Sequence, residues 1–347
     1  MTISVIMSNS PNNVGVAYSF VSWLNNNDIS KPYIDLNIHH FNEGPNVPVK
    51  KPVIFMIHGG GWYVGDKDNF DNFKPKFFND LGCIYVSINY RLSRPFGITT
   101  EGAWIGNGTD NYASWDVNRV KHPKHIKDIT NALKWVRDNI QNYGGDPNKI
   151  SVFGHSAGAH LAVLLCSNTS YINNVGIPTS CIKTCVSLDT NTFNISNEIN
   201  SSDATAGAPA SVLSRNAFGV PYDSGRSFND FVSTIQQNQT YDDGSPELFV
   251  SSGIVTNFLM CTRGTASRIN SVKTFVESLS SVGIGTSICI YIGSNTYSHE
   301  EIQYHVGNPL SVPEGKSLPT SDQISQGASS VDISTFITNH LTRIGFI

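Results

Sequence analysis

Charge is scarce in this sequence. Asp, Glu, Lys and Arg make up 14% of its 347 residues, against roughly 25% in an average soluble protein. The two signs nearly cancel, with 23 basic and 27 acidic side chains and a formal net charge of −4. The basic footprint of a nucleic-acid-binding protein is therefore missing. No apolar run approaches the roughly 18 residues of a membrane span. The opening stretch, MTISVIMSNSPNN, has no basic patch followed by an apolar core and reads poorly as a secretion signal. No CxxC pair occurs, so no metal or redox site is expected.

What is present is apolar and alternating. Hydrophobic residues are 39% of the chain, enough for a large core and unlike a disordered polymer. Cys83, Cys166, Cys261 and Cys289 lie inside apolar runs and read as buried reduced thiols, which points to a reducing, cytoplasmic setting. Cys181 and Cys185 share one face of a predicted strand at a spacing too long for easy bridging.

Strands are expected at 33–41, 51–59, 82–90, 150–155, 181–189, 254–261 and 287–293. The first alternates apolar and polar residues and reads as an edge strand. The second is a continuous apolar run, as for a strand covered on both faces. Between strands, Ile126, Ile129, Leu133, Val136 and Ile140 recur at helical spacing, closed by Gly144, Gly145 and Pro147. Val272, Phe275, Val276 and Leu279 form a second helical stripe, and 324–344 a weaker third. This order predicts an α/β fold with a mostly parallel sheet and helices on both faces. Two segments, 93–121 and 190–244, break the alternation and are too long for ordinary loops. The reading is one domain over 1–347 with two cap-like insertions.

The chemistry is concentrated in GHSAG (154–158). It follows the strand ISVF and precedes the apolar helix start AHLAVLLC, the strand–turn–helix setting that a Gly-x-Ser-x-Gly nucleophile needs. Ser156 would be lifted out of the sheet at a helix N-terminus, where the N–H of Ala157 faces a developing oxyanion. About 95 residues upstream, HGGGW (58–62) follows another buried strand. Its glycines allow close backbone approach, and Gly60 and Gly61 are the expected oxyanion donors beside Ala157.

With these motifs the chain resembles the α/β-hydrolases of the hormone-sensitive-lipase and kynurenine-formamidase type. The resemblance runs over about 33–310 and includes VIFMIHGGGW, INYRLS, GGDPNKISVFGHSAGAHLA and YSHEEIQYHVG. It implies hydrolysis of a carboxylic ester or aryl formamide through an acyl-enzyme, with no metal and no cofactor. It also implies His299 as general base, because the family keeps that residue just after the last sheet strand. His155, His160, His39, His40 and His305 are the competing histidines.

The family's acid is missing from its usual place. CTRGTASRINSV (261–272) carries Ser267 where an Asp is expected, and no acid occurs between Glu247 and Glu277. Glu277 lies too far along the helix. Asp189, ending the preceding strand, can complete the triad. It can equally be a solvated or capping residue, and a dyad held by Ser267 or a carbonyl is a third arrangement.

Substrate should enter over the C-terminal strand ends. Phe96, Trp104, Tyr112, Trp115, Phe193, Phe218 and Tyr222 could cap Ser156, or could pack the insertions onto the body. Trp62 is the expected substrate-binding residue. With no basic cluster near the motifs, a small neutral ester or amide is the expected partner; nothing specifies an oligomeric state. The competing readings are a serine esterase, an arylformamidase and a weakened hydrolase scaffold used for binding.

Overall fold

The computed structural model describes residues 5–7, 13–17, 35–40, 49–68, 73–93, 120–200, 213–214, 217–218, 241–255 and 257–347. Nine strands form one sheet: β1 (Val5–Met7), β2 (Asn13–Ala17), β3 (Asp35–His39), β4 (Lys51–Ile57), β5 (Ile84–Ile88), β6 (Gly145–His155), β7 (Ile182–Leu188), β8 (Asn257–Gly264) and β9 (Gly285–Ile292). Their spatial order is β1-β2-β3-β5-β4-β6-β7-β8-β9. Pairing is antiparallel from β1 to β5 and parallel from β5 through β9. The sheet is thus mostly parallel and covered by helices, as the order of elements predicts.

The segment expected as an edge strand is interior. Leu36 of β3 pairs with Val16 on one side and Ile88 on the other. Alternation reports which faces of a strand are buried, not how many neighbours it has, so β1 and β2 left no trace in the pattern around β3. The helix over 73–80 was also not expected, because its only apolar side chains are a cluster of phenylalanines broken by Pro75.

The two-faced burial of β4 explains its continuous apolar run. Val53, Phe55 and Ile57 join the larger core, while Ile54 and Met56 join a second one on the opposite face. The first core is sealed by α2 (Lys124–Asn139) and α3 (Ala157–Ser167), the second by α1 (Phe73–Asp80) and α5 (Ile333–Arg343). The stripe at 272–279 becomes α4 (Ala266–Ser281). Each buried apolar side chain contributes about 1.5–3 kcal/mol, so five consecutive ones from Val53 to Ile57 make β4 a rigid base for the loop that follows it. Every residue of α3 is buried, which is why its sequence is apolar all round. Arg91, just beyond β5, fixes α2 through a two-pronged ion pair with buried Asp128 at 2.6 and 2.7 Å.

All six cysteines are buried and free of disulfides. Among the described residues, no helix is long and apolar enough to cross a membrane. Phe96, Trp104, Tyr112, Trp115 and Tyr222 lie outside the described residues. Phe193 stacks on Phe275 of α4 at 4.2 Å between ring centroids, so it packs its segment onto the body.

Candidate active site

The turn after β6 is built by two glycines. A side chain on Gly154 would sit 2.1 Å from the carbonyl oxygen of Gly158, and one on Gly158 would sit 2.3 Å from those of Ile57 and His58. The start of α3 therefore presses directly on the ends of β6 and β4. Between the glycines Ser156 takes a left-handed backbone, φ 53° and ψ −120°, and caps α3. Its amide donates to the carbonyl of Leu188 at 3.0 Å, tying the turn to β7.

The loop after β4 is equally tight. A side chain on Gly60 would meet the carbonyl of Val64 at 2.1 Å, and that tight turn is held by Tyr63 and Val64 donating to the Gly60 carbonyl. The amides of Gly60, Gly61 and Ala157 meet no protein acceptor among the described residues. Ala157 opens α3, whose first amides have no partner within the helix. Gly158 closes the distance between this loop and the serine turn.

His299 comes from the turn behind β9. Its Nε2 lies 2.8 Å from Ser156 Oγ, and its Nδ1 lies 2.6 Å from Asp189 Oδ2. A carboxylate only accepts, so Nδ1 carries the hydrogen and Nε2 is left to accept from the serine hydroxyl. The three residues named from sequence thus form one hydrogen-bonded chain. Ser267 is exposed in the first turn of α4, and the imidazole meets Asp189 instead.

Asp189 is fully buried at the end of β7. Burial pushes its carboxyl up. The hydrogen bond to His299, then the charges of Arg268 and Arg263, outweigh that and hold it well below the usual carboxylate range. It is ionised at any pH where an ester would be cleaved. Among the described residues, Trp62, Ser156 and Asp189 are the three non-glycine residues with left-handed backbone. Each such residue costs roughly 1–2 kcal/mol, and all three border this site.

Two features went unread in the sequence. His155, expected to point away from the nucleophile, donates from Nε2 to the carbonyl of His299 at 2.8 Å and lies 4.8 Å from its ring. Burial pushes His155 down to about 3, so it is neutral and holds the backbone of the base. Nothing in its spacing signals that contact, which closes over 144 positions. The arginines on Asp189 were likewise missed, although both lie in the acid-free stretch.

The rival histidines are occupied elsewhere. His160 donates to the carbonyl of Gly244, and His305 to that of Glu301. His39 ends β3 beside Tyr85, and His40 lies against Tyr143. Trp62 is 5% exposed and sits edge-on to His160 and Phe218. Its ring is packed beneath the 217–218 segment instead of lining open space. Leu213 lies over Gly61, where a methyl group would come within 2.7 Å of it. His155, His299 and Glu300 bring possible metal-ligand atoms within 4.8 Å of one another, but the ring nitrogens of His299 are already committed to Ser156 and Asp189.

Comparison with known proteins follows the same lines. The carboxylesterase family profile matches residues 33–175. Para-nitrobenzyl esterase of Bacillus subtilis (strain 168) is 37% identical over 125 residues, covering 35% of this chain and 22% of that protein. Esterase LipQ of Mycobacterium tuberculosis is 35% identical over 121 residues, covering 33% of this chain and 22% of that protein. Across these and other curated relatives, the matches span only 16–22% of the relatives' own length. Among solved structures, esterase B from Lactobacillus rhamnosis superposes with a TM-score of 0.57 at 13% identity, covering 99% of this chain and 85% of that one. Thermogutta terrifontis esterase 2 phosphorylated by paraoxon gives 0.57 at 16% identity, covering 97% and 96%. The chain has the α/β-hydrolase fold.

Proposed function

We propose that this protein is a serine hydrolase that cleaves small neutral carboxylic esters through an acyl-enzyme. The observation that carries the reading is the unbroken chain Ser156–His299–Asp189 beside three amides that meet no protein acceptor among the described residues. His299 takes the proton of Ser156 as its oxygen attacks the ester carbonyl. The amides of Gly60, Gly61 and Ala157 receive the oxyanion, and each such donor is worth about 2.7–4 kcal/mol in the transition state. The imidazolium then gives its proton to the leaving alcohol, and the same base activates water to release the acid. Asp189 fixes the tautomer and stabilises the imidazolium. No step calls for a metal or cofactor.

The closer likeness to hormone-sensitive-lipase and formamidase types rests on sequence motifs, HGGGW and GHSAG foremost among them. The curated relatives are named as esterases, which favours ester over aryl formamide. One hydrolase domain with two insertions is part of the same reading, and the buried free thiols fit a cytoplasmic setting.

The test is direct. A fluorophosphonate probe should label the wild-type chain at Ser156 and leave Ser156→Ala unlabelled. p-Nitrophenyl acetate and butyrate should be turned over, and paraoxon should block that turnover. A folded wild-type chain that is neither labelled nor active would sink the reading in favour of a binding scaffold.

A further inference from the structure

We propose that Arg268, supported by Arg263, is the positioning residue of the relocated acid: it holds Asp189 in the one conformation that aims Oδ2 at His299. The inference rests on the hydrolase reading and adds a part to it.

Arg268 is in the first turn of α4, and Arg263 is near the end of β8. Both belong to the stretch that lacks the expected acid. Arg268 Nη2 reaches the backbone carbonyl of Asp189 at 2.8 Å and Oδ1 of the same residue at 3.0 Å; Nε reaches Oδ1 at 3.1 Å. One guanidinium therefore binds main chain and side chain of a single residue, which fixes ψ and χ1 together. That matters because Asp189 has φ 60°, a backbone that aspartate adopts only at a cost. Arg263 Nε donates to Oδ2 at 3.0 Å, beside the imidazole. With Oδ1 occupied by Arg268, Oδ2 is the oxygen presented to His299. The amide of Asp189 is anchored to the carbonyl of Cys261 at 2.8 Å.

The local sequence is shaped for this grip. Gly264 has φ 105°, a backbone that favours glycine, and a side chain there would just touch Arg268 Cδ at 3.4 Å. Thr265 caps α4 by accepting from the amide of Arg268. Arg268 Nη1 also donates to Asn191 Oδ1, in the loop just after the acid. A planar fork with donors on two edges is needed for these contacts, which an ammonium cannot reproduce.

The experiment is a double-mutant cycle. Arg268→Met should lower kcat on p-nitrophenyl butyrate about 10²-fold, the loss expected when a catalytic group shifts by about 1 Å, with KM little changed. Arg268→Lys should fail to restore it. In an Asp189→Asn background, Arg268→Met should cost almost nothing more, because Arg268 acts through that carboxylate. The low-field proton resonance of the His299 Nδ1–H should be present in the wild type and lost or shifted in Arg268→Met. A wild-type kcat in Arg268→Met, or an equal loss in both backgrounds, overturns the proposal. If Arg268→Met does not fold, Arg268→Lys runs the same cycle with the charge and the packing kept. If the wild type hydrolyses no ester, the hydrolase reading fails separately, and the proton resonance still decides whether Arg268 positions the acid.

Discussion

At the scale of single residues, the carboxylate that meets His299 comes from the end of β7, and the stretch around the end of β8 supplies arginines to it. Asp189 is charged, buried and in hydrogen-bond contact with the base, so its replacement should affect rate and not binding. Asp189→Asn should lower kcat by about 10³–10⁴ with KM nearly constant, because the amide favours the wrong imidazole tautomer; steady-state kinetics on a p-nitrophenyl ester checks this. GHSAG alone marks Ser156 in the sequence; His299 follows only from the family resemblance, and Asp189 is one of three arrangements the sequence leaves open. Arg268 was not legible. Its partnership with Asp189 spans 79 positions, and one arginine in a helix carries no spacing signal. The usable hint was the paired arginines in a stretch that ought to hold an acid.

At the scale of elements, the site depends on three segments meeting without side chains between them. Gly158 sits against the carbonyls that end β4, and any Cβ there forces the oxyanion loop away from α3. Gly158→Ala should cost about 1–3 kcal/mol of stability, as overpacking does, and should lower kcat as well. Gly253→Ala is the control, because a Cβ there meets nothing within 4 Å. Thermal midpoints and turnover of the two variants should separate cleanly. The strands from β4 to β9 were legible from apolar runs, and α2 and α4 from helical spacing. β1 and β2 were not, because runs of 3 and 5 residues are too short to establish a period. The interior place of β3 was hidden for the related reason that pairing is a property of backbones, which the side-chain pattern does not record.

At the scale of the whole molecule, buried neutral histidines stand out against the low charge. Burial pushes His58, His160 and His340 down to about 4 and His155 to about 3. In the unfolded chain each takes up a proton near 6.5. Below that pH the unfolded state binds more protons than the folded one, so stability falls as pH falls. Each such histidine removes about 1.4 kcal/mol per pH unit between roughly 6.5 and its lowered value. Asp189 adds its own loss only below the ordinary carboxylate range. Stability measured by urea unfolding should therefore drop by several kcal/mol between pH 7.5 and pH 5. A flat profile across that window would show that these rings are reached by water.

The placement of the acid also sets when the site becomes complete. Ser156 and Asp189 end neighbouring strands, whereas His299 lies 143 positions from the first and 110 from the second. During synthesis the nucleophile and its acid leave the ribosome well before the base. Until β9 and the turn behind it have emerged and paired, the nascent polypeptide carries Ser156 without the imidazole that meets it, so the Ser156–His299–Asp189 contacts close only with the ninth strand.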